Sequence, residues 1–301
     1  MTPCLHVYIV ICLNVYMKKL RGAPIAKRIL AALKADISAS NEKPGLAVVL
    51  IGENKASQMY VALKEKKAKE IGMNFFLFSF AENSAEEEIL KCIERLNNDK
   101  KINGVLVQLP LSAGFDTEKI ISAIDPRKDV DGFHSENAKK FLQGTGEIYP
   151  VFPHAIVKLL ESAGENLEGK KAVVIGNSQE FSQLMQLALK QKGLLTEFVL
   201  AGQLSLELGK IKEADVVVSA VGSPELLKGQ LFKDGVIIID GGIEKVGDQV
   251  FGDVDFGSTK DLNGFITPVP GGVGPVTIAC LLENTWLAFK TQEGDKAKRD
   301  C

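Results

Sequence analysis

Histidine, cysteine and tryptophan are scarce in this chain, with 3, 5 and 1 copies in 301 residues. The cysteines (Cys4, Cys12, Cys92, Cys280, Cys301) are scattered, odd in number and never spaced Cys-x-x-Cys. They spell neither a disulfide framework nor a zinc motif, and read as the reduced thiols of a cytoplasmic protein. The histidines (His6, His134, His154) stand at no zinc-binding spacing and beside no nucleophile elbow. No metal is expected, and serine hydrolysis is disfavoured. Charge of one sign is also missing: 36 Lys+Arg face 38 Asp+Glu, a net charge of −2. Such a balance supplies no overall field for nucleic acid or an anionic membrane, so neither is expected as a partner. The uncharged apolar run Leu5–Met17, thirteen residues, falls short of the roughly 17–25 residues a membrane helix needs. Lys18 and Lys19 follow that run, whereas a signal peptide carries its positive charge in front. Residues 1–16 are therefore expected to be an extension outside the folded part.

What remains is ordinary globular composition, 46% hydrophobic and 25% charged, in a chain long enough for two cores. Apolar runs at 46–51, 75–80, 105–107, 172–175, 216–218 and 236–239 read as buried strands. Helical patterns lie between them at 24–39, 56–71, 84–98 and 203–213, with a bridging helix at 155–163 and a tail helix at 276–290. Alternation of this kind predicts an α/β protein with two domains, each a mainly parallel sheet flanked by helices, and a ligand cleft between them. The expected division gives 17–153 to the first domain, completed by a C-terminal helix at 274–291, and 154–273 to a Rossmann-like second domain.

Five strings carry candidate chemistry. In Ser57-Gln-Met-Tyr60-Val-Ala-Leu-Lys64, Tyr60 and Lys64 share a helix face, an aromatic plate beside an ammonium, although Lys64 also opens a lysine-rich run typical of a solvated face. Gln108 is the polar residue at the end of the apolar strand Gly104–Val107, where it orients a lysine, reads a heterocycle or ties down the next loop. Asp129 and Asp131 flank a turn, which suits bidentate recognition of an amino-pyrimidine or plain turn chemistry. Gly176-Asn177-Ser178 ends a strand and opens a helix, a place where phosphate rests on free N–H groups, but it lacks Gly-x-Gly-x-x-Gly, and Glu180 adds a repelling charge. Gly222 and Ile243 close further strand ends on the same crevice. Thr267-Pro-Val-Pro-Gly-Gly-Val-Gly-Pro-Val-Thr277 is the most specific string, stiff yet open to close approach by a ligand.

Together and in this order, these strings resemble the methylenetetrahydrofolate dehydrogenase/methenyltetrahydrofolate cyclohydrolase family, across about Leu20 to Lys290. The resemblance implies oxidation of 5,10-methylenetetrahydrofolate with NADP, or with NAD, and hydrolysis of the product to 10-formyltetrahydrofolate, by a cytoplasmic homodimer whose partners are tetrahydrofolate one-carbon derivatives. It further implies that Tyr60 stacks on folate, that Lys64 is the acid/base of hydrolysis tuned by Gln108, and that Asp131 holds the pterin. Gly176, Asn177, Ser178, Gly222 and Ile243 would bind the dinucleotide, and Pro270, Gly271 and Gly272 the substrate. The cofactor half departs from the family pattern. Where Gly-Arg-Ser-x-x-Val-Gly-x-Pro is usual, the chain has Asn177, Phe181, Ser182 and Leu184; Leu200-Ala201 replaces a His-Ser or His-Arg pair; and Pro-Cys-Thr-Pro reads Pro150-Val-Phe152-Pro153. A cyclohydrolase with weakened dehydrogenase, and a non-catalytic folate binder, are the alternatives these departures leave open.

Overall fold

The computed structural model describes residues 16–247 and 249–299; the extension expected at 1–16, except Tyr16, lies outside them. The first half is built on a three-stranded parallel sheet, order β3-β2-β4, from β2 (Gly45–Ile51), β3 (Asn74–Phe80) and β4 (Gly104–Val107). Every residue of β2 is buried, which explains its unbroken apolar sequence. Helices α1 (Gly22–Ala39), α2 (Lys55–Glu70) and α3 (Glu86–Asn98) cover the sheet, and short helices α4 (Thr117–Ser122) and α5 (Ser135–Leu142) follow. Asn54 caps α2, its side chain accepting from Ser57 N at 3.0 Å, and so fixes where Tyr60 and Lys64 fall along that helix.

The second half is a six-stranded sheet in the order β1-β11-β8-β7-β5-β6, parallel throughout. It comprises β1 (Met17–Lys19), β5 (Lys171–Gly176), β6 (Leu195–Leu200), β7 (Val216–Ala220), β8 (Val236–Asp240) and β11 (Gly264–Ile266), with helices α7 (Gln179–Lys190) and α8 (Leu208–Glu213). A separate hairpin is formed by β9 (Glu244–Val246) and β10 (Gln249–Phe251). Helix α6 (Val151–Glu161) leads from one half to the other, and α9 (Val273–Arg299) returns to pack on α1, α6 and α2.

The structure departs from the sequence-based expectation at several points, strands β6, β9, β10 and β11 among them. Met17–Lys19 pairs with β11, so the start of the expected first domain is an edge of the second sheet. The helix expected at 203–213 is split into a 3-10 turn, Ala201–Leu206, and α8; Gly202 and Gly209 weaken a continuous helix there. The main core runs through both halves: Leu46, Val48 and Leu106 of the first sheet belong to one packed cluster with Val174, Val218 and Ile239 of the second, joined through α6 and α9.

Candidate active site

Strand order in the second sheet reverses at β5, which has β6 on one side and β7 on the other. Ligands bind beyond the C-terminal ends of strands at such a point. Here those ends are Gly176-Asn177-Ser178 and Ala220-Val221-Gly222. The Asn177 amide donates to Val221 O at 2.7 Å, bridging the two. Ser178 caps α7, its hydroxyl accepting from Phe181 N at 3.2 Å. Gly222 has φ +76° and open space where a Cβ would lie, and Ile243 is 43% exposed at the rim. These groups stand at the strand ends and helix start where an α/β sheet of this order binds phosphates. Glu180 is exposed on the first turn of α7.

Two carboxylates outside the expected site residues organise these strand ends. Asp253 accepts from Ser219 Oγ at 2.6 Å, Val221 N at 2.8 Å and Ser223 N at 2.8 Å. Asp240 accepts from the backbone N–H groups of Gly242, Asp253 and Val254, and burial pushes it up to about 7. Both are signalled by Asp-Gly and Gly-Asp steps beside strand ends, which are indistinguishable in sequence from ordinary turns.

The departures at Phe152 and Phe181 are partners. Their rings meet edge-on, centroids 5.5 Å apart, and the ring of Phe152 covers Gly241 so closely that a Cβ there would overlap it. Phe181 lies 3.1 Å from where a Gly176 Cβ would stand. An aromatic wall thus joins α6, α7 and the ends of β5 and β8. Ser182 is buried, its hydroxyl returned to Ser178 O at 2.8 Å.

On the other side of the cleft, the Lys64 ammonium donates to Gln108 Oε1 at 2.7 Å, and Gln108 Nε2 donates to Leu109 O at 2.6 Å. The second bond fixes which way the amide faces, so its oxygen is the atom offered to the lysine. Burial pulls the Lys64 pKa down, and the charge of Asp131 pulls it partly back. Asp131 is pushed up to about 6, mainly by burial; Lys64 opposes the shift and Asp129 adds to it. A lysine made less basic and a carboxylate made less acidic, each within the other's field, are a proton-transfer arrangement rather than a locked ion pair.

The two aspartates of the turn separate by role. Asp129 is buried and accepts from Gly132 N, His134 N and Asn137 Nδ2, at 3.1, 2.9 and 2.9 Å. It fastens the loop, leaving Asp131 to face Lys64. Gly132 has φ +77°, and a Cβ would come within 2.7 Å of Pro150 Cα, so only glycine lets this turn pass beneath α6.

The string at 267–277 reaches α1, β8 and Tyr60. Gly22 N donates to Gly271 O at 2.9 Å, and a Cβ on Gly22 would overlap the Gly272 carbonyl oxygen. Asp240 N donates to Thr267 Oγ1 at 2.7 Å, tying the loop to β8. Past Pro270-Gly271-Gly272 the chain enters α9, where a Cβ on Gly274 would be 3.2 Å from the Tyr60 hydroxyl. Burial raises the pKa of Tyr60, keeping it a neutral plate. The loop is thus held by both halves: by β8 through Thr267 and by α1 through Gly271.

Comparison with known proteins agrees with this layout. Residues 20–131 match the profile of the tetrahydrofolate dehydrogenase/cyclohydrolase catalytic domain, and residues 150–293 that of the NAD(P)-binding domain of the same family. The chain is similar to the bifunctional protein FolD of Vesicomyosocius okutanii, 40% identical over 277 residues, covering 92% of this chain and 100% of that one. To the bifunctional protein FolD of Listeria innocua it is 42% identical over 275 residues, covering 89% and 96%. Among solved structures, the bifunctional methylenetetrahydrofolate dehydrogenase/cyclohydrolase of Campylobacter jejuni superposes with a TM-score of 0.86 at 36% identity, covering 92% of this chain and 99% of that one. The Trypanosoma brucei methylenetetrahydrofolate dehydrogenase-cyclohydrolase, complexed with NADP and an inhibitor, gives 0.87 at 31%, covering 92% and 98%.

Proposed function

The chain belongs to the tetrahydrofolate dehydrogenase/cyclohydrolase family, and we propose that it carries both reactions in the cleft described above. It oxidises 5,10-methylenetetrahydrofolate to the methenyl compound with NADP, and hydrolyses that product to 10-formyltetrahydrofolate. The observation that supports the hydrolytic half is the 2.7 Å bond between Lys64 and Gln108, with Asp131 acting on the same lysine.

Hydrolysis adds water to the methenyl carbon and then breaks one carbon–nitrogen bond, with the proton delivered to the departing ring nitrogen. Lys64 as the free amine takes one proton from the attacking water and as the ammonium returns it to that nitrogen, while the hydroxyl proton of the adduct leaves to solvent as the formyl C=O forms. A lysine of ordinary pKa would hold its proton near neutrality. Burial here lowers the lysine's pKa, making proton release easier than from an exposed lysine. Gln108 Oε1 steadies the ammonium and aims it, Asp131 accepts from the amino-pyrimidine end of the folate, and Tyr60 stacks on the conjugated ring. Pro270, Gly271 and Gly272 present backbone against the substrate.

The dinucleotide supplies a hydride acceptor when bound. Gly176, Asn177, Ser178, Gly222 and Ile243 would hold it, the backbone N–H groups at the start of α7 taking the phosphates. The chain's part in that reaction is alignment, so the loop shared by α1 and β8 serves both steps.

The strand β3 supports a homodimer. It is the edge of its sheet, carries Phe75, Phe76, Phe78 and Phe80, and leaves Leu77 44% exposed. An unblunted apolar edge of this kind is covered by a second copy. A cytoplasmic location fits the free buried thiols Cys92 and Cys280, and no described helix is long and apolar enough to cross a membrane.

Lys64→Met tests the assignment. Methenyltetrahydrofolate hydrolysis is expected to fall by about 10²–10⁴-fold, the usual share of a general acid/base, while folate binding persists. Unchanged hydrolysis would remove Lys64 from the mechanism.

A further inference from the structure

The interface between α6 and α9 holds a polar cluster that neither reaction uses. His154 sits on the first turn of α6, and Cys280 and Glu283, three apart, share one face of α9. His154 Nδ1, Cys280 Sγ and a Glu283 carboxylate oxygen all lie within 4.8 Å of one another, and His154 Nδ1 is 3.9 Å from Glu283 Oε2. Cys280 is a free thiol with no exposed surface. Both His154 Nδ1 and Glu283 Oε2 are buried without a hydrogen-bond partner.

Glu283 Oε2 has the Lys158 ammonium at 3.4 Å as an ion-pair partner, whereas His154 Nδ1 has neither hydrogen bond nor close cation; a buried acceptor or donor left unmade costs about 1–3 kcal/mol. The donors here are one imidazole nitrogen, one thiol sulfur and one carboxylate oxygen. That set is wrong for calcium or magnesium, which want oxygen alone. It suits a tetrahedral, borderline-soft divalent ion with one position left open.

We propose that His154, Cys280 and Glu283 form a zinc-class binding site that clamps α6 to α9. The proposal goes beyond the folate chemistry and does not depend on it. Zinc bonds of about 2.0–2.3 Å place neighbouring ligand atoms about 3.5 Å apart, so the widest pair must close by roughly 1 Å. Rotation of the His154 and Glu283 side chains, 20% and 29% exposed, can supply that movement. Lys158, one turn beyond His154, has its ammonium 3.4 Å from Glu283 Oε2 and is the cation there in the absence of metal. It borders a cavity of about 600 Å³ with Lys19, Arg21, Arg28 and Glu161, and its flexible stem lets the ammonium turn away from a bound ion. Charge balances in both states. The ammonium neutralises Glu283 alone, whereas the dication neutralises Glu283 and the Cys280 thiolate, whose proton leaves to solvent.

No local motif announces this site, because the sequence keeps His154 far from Cys280 and Glu283. The expectation of no metal, drawn from spacing, considered only ligands close together in the chain.

Cobalt(II) titration of the chelator-treated full chain, followed by zinc displacement, tests the proposal. One equivalent should bind with a thiolate-to-cobalt charge-transfer band and tetrahedral visible absorption, both bleached by zinc. Cys280→Ser should abolish the band, and His154→Gln should weaken binding by at least roughly 100-fold, beyond what loss of an outer-sphere partner costs. Zinc should raise the unfolding temperature of the unaltered chain and of neither variant. Circular dichroism and folate hydrolysis confirm that the variants are folded. A thiolate band that survives Cys280→Ser comes from another cysteine and overturns the proposal, as does binding without such a band or no binding at all.

Discussion

Replacing Gln108 by leucine removes the acceptor from Lys64 and leaves the rest of β4 in place. The lost bond is short, 2.7 Å, and its donor is charged. Hydrogen bonds of that class contribute about 1.5–3 kcal/mol, equivalent to about 10- to 150-fold in rate at one decade per 1.36 kcal/mol. The Lys64 stem is partly exposed but its ammonium is buried, so water recovers little of the loss, and a fall of about 10- to 150-fold in hydrolysis is expected. The pH profile carries a second signature. Gln108 favours the ammonium, so its removal makes the lysine less basic still, and the limb that reports Lys64 moves to lower pH. Oxidation of the methylene substrate needs no proton from Lys64 and should fall by a much smaller factor. The assay is loss of methenyltetrahydrofolate absorbance across pH, with dinucleotide reduction on the same preparation. Unchanged hydrolysis would refute the reasoning, and so would an equal fall of both reactions together with folate affinity.

Three further perturbations address the other walls of the cleft. Asp131, raised to about 6, is ionised and accepts from the pterin above that pH, so folate affinity should decline as pH drops through it; Asp131→Asn should weaken binding by about 10- to 150-fold and flatten that dependence, as read by calorimetric titration. Gly22→Ala sets a Cβ against the Gly272 carbonyl oxygen, and the forced backbone shift should cost about 1–3 kcal/mol in urea unfolding and raise the KM for folate. Asn177→Arg restores a cation where the crevice has Glu180, Leu200 and Ala201 instead; it should raise affinity for NADP over NAD by about tenfold or more, and an unchanged ratio of dissociation constants would show that this position does not contact the 2′-phosphate.

Much of this architecture was readable before the fold was seen. The buried strands β2, β5 and β8 are unbroken apolar runs, and such runs between helical patterns imply parallel sheets. Strand β6 escaped because Thr196 and Glu197 interrupt Leu195–Leu200, and β1 and β11 because three-residue strands carry no periodicity. That Tyr60 and Lys64 share a helix face was legible from spacing, and so was the place of Gln108 after an apolar strand; the roles proposed for them came from the resemblance to the family and not from spacing. The division of labour between Asp129 and Asp131 was not, since it depends on which carboxylate captures the backbone of 132–134. Nor was the contact between Phe152 and Phe181, two departures from the family pattern that lie on different helices and make sense only as a pair. The cluster of His154, Cys280 and Glu283 is the extreme case, assembled solely by α6 packing on α9.

The most direct test of the whole account is a steady-state assay of the full chain on 5,10-methylenetetrahydrofolate, with NADP and NAD titrated separately and methenyltetrahydrofolate hydrolysis followed in parallel. The account expects NADP-dependent oxidation and hydrolysis from one preparation, with Lys64→Met removing the hydrolysis and leaving folate bound. A chain that oxidises nothing with either dinucleotide, or that hydrolyses the methenyl compound as well without Lys64 as with it, would contradict the account.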